Sequence, residues 1–366
     1  MPIRILHIVT YMGRGGLETM LMNYYRKIDR SHVQFDFLVH RDFEADYDAE
    51  ILSLGGKIHR LPQLNPFSKA YLRALDVFFA SHPEYRIVHC HLDCMAGIPL
   101  KYAKKHGVPV RIAHSHNSNQ TKDRKYPMKL YFKRNICKFA TDLFACSAEA
   151  GKWMFETDEF RVLNNAIDAA EYSFEPQIRA EVRKKLGIAD DALVIGHVGR
   201  FAPQKNHSFL VEILAEAVKA NENTMGLLVG DGELRSETEE KIKDLGIAEH
   251  VVFTGVRSDV NRLLQAMDVF AFPSHFEGLG IVAIEAQAAG LPCLISDKVP
   301  IECKKTDLVT QLPLTLGAEQ WAETALKAAQ PRVRTLEQIK EAGFDIEENA
   351  NKLTEFYLSR WSDRNA

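Results

Sequence analysis

Short apolar segments rich in β-branched residues alternate with helix-length segments along the whole chain, and the alternation forms two consecutive series. The first contains IRILHIVT, QFDFLVH, RIVHCH, PVRIAHS and DLFACS, and the second contains LVIGHVGR, MGLLVGDG, HVVFTG, DVFAFPS and PCLISD. Strands separated by one helix each build βαβ units and parallel sheets that are buried on both faces. The pattern predicts an α/β protein with two doubly wound, Rossmann-like parallel-sheet domains facing a central cleft.

The length of 366 residues agrees with this reading, because a single hydrophobic core stops growing at about 250 to 300 residues. We expect an N-terminal domain over 1–168 and a second domain over 169–344, joined by a hinge where polar residues follow the short strand FRVLN. The final segment, 345–366, contains a helix whose apolar face we expect to pack back on the N-terminal domain.

The composition excludes several classes of protein. With 46% hydrophobic and 26% charged residues, the chain is neither disordered nor collagen-like. Six cysteines scattered through apolar segments predict reduced thiols rather than a disulfide framework. The N-terminus passes from Arg4 directly into a strand without a signal-peptide core, and no apolar run reaches about 18 residues. We therefore expect a cytoplasmic protein.

Motif residues collect in the loops that follow strands, where doubly wound sheets bind their ligands. Gly13, Gly15 and Gly16 follow the first strand and precede a helix, which allows close backbone approach to a phosphate or sugar. A tight structural turn would need the same glycines. In the second series, Arg200 and Lys205 share one loop and could clamp a diphosphate, although two solvated surface cations are the alternative.

Two carboxylates lie in the segment PSHFEGLGIVAIEAQAAG. Glu277 precedes a helix that we expect to begin near Gly278–Leu279, and Glu285 lies within that helix. Backbone N–H groups at the start of the helix could bind phosphate or sugar hydroxyls. A rise of about 1.5 Å per residue would place the carboxylates roughly 9 Å or more apart along the axis, which suits opposite ends of a nucleotide-sugar. The alternatives are a helix cap for Glu277 and an acid favoured by the helix dipole for Glu285.

Taken together, the motifs GRF…KN, VGDG, FTG and FEGLGIVAIEA resemble those of the family-four retaining glycosyltransferases of the GT-B fold, particularly bacterial enzymes of exopolysaccharide and capsule assembly. The E-x7-E spacing from Glu277 to Glu285 is the signature of that family. The N-terminal half is similar through GGLE, PVRIAHSHNS and NNAID, where Ala166 replaces a glycine of the family pattern. The resemblance covers nearly the whole chain.

The resemblance implies roles for individual residues. Arg200 and Lys205 would hold the donor diphosphate, and Glu277 and Glu285 would bind the hexose and the ribose. His116 would lie near the reacting sugar, with His114 pointing to the same face; a satisfied core histidine is the alternative for either. The other residues that would contact the donor are Gly15, Gly16, Gly199, Gly230, Gly232, Val256, Gly278, Leu279 and Gly280.

Two further patterns in the sequence are compatible with metal binding. His89 and His91 alternate at one strand end as His114 and His116 do at another, so a four-histidine metal site is conceivable. No carboxylate accompanies them, and we expect no metal site. Asp46 and Asp48 form a D-x-D sequence in an acidic loop, which an exposed helix start explains better.

The predicted reaction is transfer of a hexose from a nucleotide diphosphate, with UDP favoured, to an acceptor hydroxyl with retention of configuration. No cofactor or obligatory metal is expected, because cations would stabilise the leaving phosphate. A front-face transfer is preferred, since the sequence offers no obvious carboxylate nucleophile. The alternatives are a nucleotide-sugar 2-epimerase of the same fold, which needs acid–base carboxylates around the sugar, and a sugar-nucleotide-binding protein without activity.

A basic segment suggests where the enzyme works. Residues 1–170 carry 24 Lys and Arg against 18 Asp and Glu, whereas 171–366 carry 22 against 31, and the surplus is concentrated in 122–138. This local surplus does not indicate a nucleic-acid partner. A helix from Pro127 with an apolar stripe and a cationic rim would lie on an anionic membrane, and a core-packed helix is the alternative. The resemblance implies a glycan or lipid-linked acceptor, so we expect possible peripheral contact with the inner face of the cell membrane.

Overall fold

The computed structural model describes residues 2–117 and 126–362, which form two compact units. One unit comprises Met1–Ile167 together with Asp345–Ala366, and the other comprises Asp168–Phe344. The chain thus leaves the first unit once and returns to it at the end.

The first unit contains a seven-stranded parallel sheet in the order β3-β2-β1-β4-β5-β6-β7. Its strands are β1 (Ile3–Ile8), β2 (Val33–Val39), β3 (Ile58–Arg60), β4 (Ile87–Cys90), β5 (Val110–Ser115), β6 (Asp142–Ala145) and β7 (Arg161–Val162). Its helices are α1 (Gly16–Lys27), α2 (Asp48–Ser53), α3 (Lys69–Ser81), α4 (Gly97–Lys105), α5 (Tyr126–Lys133), α6 (Ile136–Phe139), α7 (Ala148–Phe155) and, at the end of the chain, α16 (Ile346–Ser362). A 3-10 helix spans Asp93–Met95.

Helix α16 belongs to the core of the first unit. Its buried residues Ile346, Ala350, Leu353 and Tyr357 join the apolar cluster that also contains residues of α1 and of the five strands β1, β2, β4, β5 and β6. The backbone N–H of Ile346 donates to the carbonyl oxygen of Ile167, at the point where the chain re-enters the unit. Burial of this amphipathic face fixes the last helix on the sheet.

The second unit contains a six-stranded parallel sheet in the order β10-β9-β8-β11-β12-β13. Its strands are β8 (Leu193–Val198), β9 (Thr224–Val229), β10 (Val251–Gly255), β11 (Val269–Phe272), β12 (Cys293–Ser296) and β13 (Val309–Leu312). Its helices are α8 (Ala169–Tyr172), α9 (Pro176–Leu186), α10 (His207–Ala220), α11 (Arg235–Asp244), α12 (Val260–Ala266), α13 (Ile281–Ala288), α14 (Ala318–Ala328) and α15 (Leu336–Glu341). Shorter 3-10 helices span Pro203–Lys205, Ala248–His250 and Ile301–Cys303.

The two doubly wound parallel sheets confirm the predicted fold class. Two edge strands, β3 and β13, were not predicted from the sequence, because each has at most four residues and little apolar content. The predicted helix near Gly278–Leu279 begins later, at Ile281, with Gly280 as its N-cap at φ 78°. The helical rise therefore does not give the separation of the two carboxylates, since Glu277 lies outside the helix.

Two expectations about charged segments are also corrected. Asp48 begins α2 but is not exposed, because it is buried against Arg60 in an ion pair. The segment after Pro127 forms two short helices, α5 and α6, instead of one long helix. Lys133 does not belong to a cationic rim, since its side chain is buried, bonded to Glu156 at 2.7 Å.

Lys122, Arg124 and Lys125 lie outside the described residues. Within the described parts of the chain, no helix has both the length and the apolar character needed to span a membrane. All six cysteines are free, and five of them are buried, with Cys137 exposed.

Candidate functional site

In each sheet the strand order reverses direction beside the first strand, between β1 and β4 and between β8 and β11. At such a switch point the loops that leave the carboxyl ends of the two strands diverge and form a crevice for a ligand. In the second unit the residues after β8 are Gly199–Lys205, and those after β11 include Glu277. The topology thus brings two of the predicted motifs to one place.

Lys205 and Glu277 form an ion pair at this place. The Nζ atom of Lys205 lies 2.7 Å from Oε1 of Glu277, and the two side chains are only 16% and 7% exposed. Gln204 donates to Glu277 Oε2 at 3.3 Å and to the carbonyl oxygen of Phe276 at 2.9 Å. The Lys205 ammonium also lies 4.7 Å from the ring centroid of Phe272. These contacts hold both charged groups at the carboxyl ends of β8 and β11.

Arg200 has a different partner and is far more exposed. Its guanidinium lies 2.9 Å from Glu233, and the two side chains are 72% and 50% exposed. An exposed pair of this kind is worth about 0 to 1 kcal/mol and exchanges readily for another anion. The two predicted clamp residues are therefore paired separately in the free protein, Lys205 with Glu277 and Arg200 with Glu233.

The glycines after β8 and β9 allow two loops to pass very close together. A Cβ atom at Gly230, where φ is 131°, would lie 2.1 Å from the carbonyl oxygen of Gly199, and one at Gly232 would lie 2.5 Å from that of Phe201. Packing alone therefore requires glycine at 230 and 232. Val256, which we expected to contact the donor, is exposed directly after β10.

Glu285 lies in the middle of α13 and is buried. Burial raises the pKa of its carboxyl group to about 7, and a hydrogen bond with Tyr172 acts in the opposite direction. Near this pKa the ionised carboxylate accepts hydrogen bonds at both oxygens, whereas the protonated form donates from one oxygen and accepts at the other. The sequence did not single out Tyr172, because it lies in the short helix α8, far from the motif along the chain.

In the first unit, Gly15 is the N-cap of α1 and Gly16 is its first residue. The carboxylate of Glu18 folds over this helix start, so that a Cβ atom at Gly15 would lie 2.3 Å from Glu18 Oε2. Burial raises the pKa of Glu18 to about 7. A larger residue at position 15 would therefore require the Glu18 side chain to move.

Five histidines line the switch point of the first unit. His7 lies in β1, His89 and His91 lie in and after β4, and His114 and His116 lie in and after β5. Their rings are neighbours: the centroids of His89 and His91 are 4.3 Å apart, and those of His114 and His116 are 4.1 Å apart. Burial lowers the pKa of every one of them, to about 3 for His7 and His116. All five imidazoles are therefore neutral at physiological pH.

Two trios of this array have the proximity that a metal ion would need. One nitrogen from each of His7, His89 and His91 lies within 4.8 Å of the others, and the same holds for His91, His114 and His116. Facing nitrogens are joined by hydrogen bonds, however, at 3.0 Å for His7 and His91 and at 2.9 Å for His91 and His116. A hydrogen bond needs a proton on one of the two nitrogens, whereas coordination needs a lone pair on both. The spacing therefore fits hydrogen bonding.

Asp93 holds the loop that contains His116. Its buried carboxylate accepts the backbone N–H of His116 at 3.3 Å and the side-chain amide of Asn117 at 2.7 Å. Asp93 has a φ of 45°, a left-handed conformation that is strained for most residues and is common at functional sites. Sequence reasoning missed Asp93, although its position directly after the carboxyl end of β4 was a usable signal.

Comparisons with known proteins agree with this arrangement. Residues 14–171 match the model described as Glycosyltransferase Family 4, and residues 178–305 match the model described as Glycosyl transferases group 1. A Bacillus subtilis protein named "Putative glycosyltransferase EpsF" is 39% identical over 99% of this chain and 98% of its own length. The chain belongs to the family-four glycosyltransferases.

One other relative and one solved structure of similar fold are informative. An Escherichia coli UDP-Gal:alpha-D-GlcNAc-diphosphoundecaprenol alpha-1,3-galactosyltransferase is 28% identical over 58% of each chain. The crystal structure of Anabaena Alr3699/HepE in complex with UDP-glucose superposes with a TM-score of 0.79, at 19% identity, over 97% of this chain and 99% of the other. That likeness confirms the GT-B fold.

The buried carboxyl group of Glu285 makes the stability of the protein depend on pH. Its pKa is raised on folding, so the folded state binds more protons than the unfolded state between about pH 4.5 and 7, and the associated stability is lost as pH rises through that range. Glu285→Gln cannot ionise and lacks this loss. We expect the variant to gain about 3 kcal/mol relative to wild type between pH 5 and pH 8.

Urea unfolding at both pH values measures this difference. Glu237→Gln, at an exposed position of α11, is the matched control, and its difference in stability from wild type should be the same at both pH values. A constant difference between wild type and Glu285→Gln from pH 5 to 8 would show that burial does not raise the pKa of Glu285.

The left-handed backbone at Asp93 allows its side-chain hydrogen bonds to be removed without introducing new backbone strain at this position. Glycine adopts a φ of 45° freely, so Asp93→Gly deletes both bonds and relieves the strain. We expect kcat/KM to fall at least about 10-fold, because the His116 loop is no longer held in place. Asp93→Asn tolerates the same conformation, keeps an acceptor and should remain within about three-fold of wild type. Full activity of Asp93→Gly, measured by steady-state kinetics, would contradict this role.

Proposed function

We propose that the protein transfers a hexose from a UDP-sugar to an acceptor hydroxyl, with retention of configuration and without an obligatory metal ion. The single observation that carries this proposal is the buried Lys205–Glu277 pair at the switch point of the second unit, with Glu285 on the adjacent helix. A cation can bind a phosphate group while the carboxylate beside it accepts a hydrogen bond from a neighbouring sugar hydroxyl. The match over 178–305 to the model described as Glycosyl transferases group 1 contains all three residues.

In this proposal each charged group exchanges its present partner for part of the donor. The diphosphate replaces Glu277 as the partner of Lys205, and it replaces Glu233 as the partner of Arg200. Glu277 then accepts hydrogen bonds from hydroxyl groups of the hexose. Glu285 accepts the ribose hydroxyls in its ionised form. Charge that develops on the leaving phosphate is stabilised by the two cations, which is the contribution that a metal ion makes in other transferases.

The step that we propose is a front-face transfer. The bond between the anomeric carbon and the leaving phosphate oxygen breaks, the acceptor oxygen bonds to the anomeric carbon from the same side, and the acceptor proton passes to the phosphate. His116 is assigned to the transferred hexose, and the backbone of Gly15 and Gly16 to the donor. The first unit is proposed to bind the acceptor and the second the donor.

The acceptor that we propose is a lipid-linked glycan in the assembly of an exopolysaccharide or capsule. The E. coli relative is named for transfer to a sugar on diphosphoundecaprenol, which supports an acceptor of this kind. Such an acceptor is embedded in the cytoplasmic membrane. A protein that uses it works in the cytoplasm at the inner membrane face.

Nucleotide release from a panel of UDP- and GDP-sugars, with and without EDTA, tests the donor and the need for metal. We expect release with a UDP-sugar that depends on an acceptor, unchanged by EDTA, and a product with the anomeric configuration of the donor by NMR. Inversion, inhibition by EDTA or a requirement for a GDP-sugar would contradict the respective part of the proposal. Conversion of the sugar without transfer would favour an epimerase.

Substitution of the two cations tests the diphosphate assignment. Arg200→Ala and Lys205→Ala should each lower kcat by about 100-fold or more, because one charge donor to the leaving phosphate is lost. Glu233→Ala removes the partner of Arg200 but keeps the cation, so it should turn over near the wild-type rate. Only Lys205→Ala should also lower the free energy of unfolding, by about 3 kcal/mol, since Glu277 stays buried without its cation. Wild-type turnover in either alanine variant would remove the assignment.

Membrane contact through 122–138 is tested by co-sedimentation with vesicles that contain anionic lipid. Arg134 and Lys138 are exposed and replace the buried Lys133 in the test. Arg134→Glu/Lys138→Glu should weaken binding at least about 30-fold, at roughly 1 kcal/mol per basic residue. The control Lys57→Glu/Lys69→Glu changes the same charge elsewhere on the first unit and should bind normally. If neither high salt nor Arg134→Glu/Lys138→Glu weakens binding, the segment 122–138 is an ordinary protein surface and does not hold the protein on the membrane.

A further inference from the structure

Two aromatic residues at the carboxyl edge of the first sheet are exposed beside each other. Tyr11 comes after β1 and Phe43 after β2, and the two residues are 40% and 51% exposed. Their ring centroids are 5.6 Å apart and their ring planes are inclined by 61°, which is an edge-to-face arrangement. An exposed aromatic pair at the edge where such sheets bind their ligands is a candidate binding surface.

The two loops that carry these rings are tied to each other by backbone hydrogen bonds. The N–H of His40 donates to the carbonyl oxygen of Thr10 at 2.8 Å, and the N–H of Tyr47 donates to that of Met12 at 3.0 Å. One aromatic ring lies between the two donors along the chain, and the other lies between the two acceptors. The rings are therefore held together in the free protein, which lowers the entropy cost of binding a ligand between or on them.

Gly13 supports the ring of Tyr11. A Cβ atom at position 13 would lie 2.5 Å from Cε2 and 3.2 Å from Cδ2 of Tyr11, so the ring lies directly against the glycine backbone. One part of the ring is thus packed on the loop, and the exposed part remains accessible to a ligand.

The loop that carries Phe43 is acidic. Residues 41–46 contain one basic residue and three acidic residues, and the three acids are exposed. Asp46 lies 3.7 Å from the guanidinium of Arg14, whereas Asp42 and Glu44 flank Phe43 directly in the chain. Ionised carboxylates accept hydrogen bonds from hydroxyl groups, and they repel phosphates, other carboxylates and anionic lipid headgroups.

Aromatic faces and carboxylates together select one class of ligand. One side of a pyranose ring consists largely of C–H groups, and their slightly positive hydrogens are attracted to the negative face of an aromatic ring. The hydroxyl groups at the rim of the same sugar are donors for ionised carboxylates. An uncharged sugar or an amino sugar fits both features. A nucleotide or an anionic membrane would instead bring negative charge against the acidic loop.

We propose that Tyr11 and Phe43 form a stacking platform for a pyranose ring of the acceptor, and that Asp42 and Glu44 restrict this ring to uncharged and amino sugars. Sugars that carry a carboxylate, such as uronic acids, are disfavoured. The assignment of the ring to the acceptor rests on the proposed function, whereas pyranose binding and its charge preference rest on this unit alone.

Saturation-transfer difference NMR on the ligand-free full chain tests pyranose binding without any reaction. The probes are the methyl glycosides of glucose, galactose, N-acetylglucosamine and glucuronic acid. We expect at least one neutral glycoside to receive saturation at its ring C–H protons, and Tyr11→Ala and Phe43→Ala each to weaken its binding about 5-fold or more. Tyr11→Phe keeps the ring and should remain within about two-fold of wild type.

Two further variants control this measurement. Phe67→Ala is the matched control, because Phe67 also follows a strand of the first sheet and is 73% exposed, and it should leave glycoside binding unchanged. Phe43→Leu keeps an apolar side chain without an aromatic face, so it should lose as much binding as Phe43→Ala while remaining folded. Absence of binding by every neutral glycoside, or equal affinity in wild type and both alanine variants, would overturn the platform. Weaker binding to anionic vesicles with unchanged glycoside binding would overturn it in favour of a membrane contact.

A charge-neutral variant tests the sugar preference. Asp42→Asn/Glu44→Gln keeps the shape and an acceptor oxygen at each position but removes two negative charges. We expect its affinity for methyl glucuronide to rise about 5-fold or more at low salt, while its affinity for the neutral glycosides stays within about three-fold of wild type. Glu84→Gln/Glu159→Gln removes the same charge at exposed positions elsewhere on the first unit and should change neither affinity. Wild-type binding of the glucuronide as tight as that of the neutral glycosides would refute the charge preference.

Steady-state kinetics tests the assignment to the acceptor, with the acceptor that supports nucleotide release. Tyr11→Ala and Phe43→Ala should each raise the KM for the acceptor about 5-fold or more, while the KM for the UDP-sugar stays within about two-fold of wild type. An increase confined to the KM of the donor would overturn the acceptor assignment. If the wild-type protein shows no transferase activity, the proposed function fails, while the NMR result for the pyranose platform stands.

Discussion

Parallel pairing places the carboxyl ends of all strands of a sheet at one edge, and both candidate sites of this protein depend on that constraint. In the second unit it brings the loop after β8 beside the loop after β11, although about 70 residues separate Lys205 from Glu277 along the chain. In the first unit it brings histidines from three strands together. The chemistry of each site is thus carried by residues that no local sequence pattern connects.

The free protein keeps its charges paired within the second unit. Glu277 is nearly buried, and its neighbour Lys205 supplies the opposite charge at 2.7 Å. Arg200, in contrast, is held only by an exposed contact with Glu233. The two cations of this loop therefore differ in the free energy needed to separate them from their partners. The Lys205–Glu277 pair resists separation unless a new anion replaces Glu277 at the same moment, whereas the exposed Arg200–Glu233 pair separates readily.

The sequence was sufficient to predict the two parallel sheets, because buried strands produce apolar runs that are visible without any knowledge of packing. The start of α13 was placed too early, because Gly280 adopts a left-handed conformation that ends the preceding loop, and glycine alone does not reveal its φ. Tyr172 could not be assigned, since it acts through a hydrogen bond with Glu285, which is distant in the chain. Asp93 was missed although it follows the carboxyl end of β4. The burial of Lys133 likewise depends on Glu156 and the ring of Trp153.

The position of α16 determines when the first unit can finish folding. Its core includes Leu353 and Tyr357, which are synthesised after the whole of the second unit. At ribosomal rates of about 5 to 20 residues per second, the strands of the first unit wait roughly 10 to 40 s for this helix. During that interval the apolar surface that α16 covers is open, and by the time α16 is synthesised the second unit already has all its strands. The two units can therefore be completed in the reverse of the order in which they begin along the chain. The inserted unit can be complete first, and the unit that begins the chain is completed last.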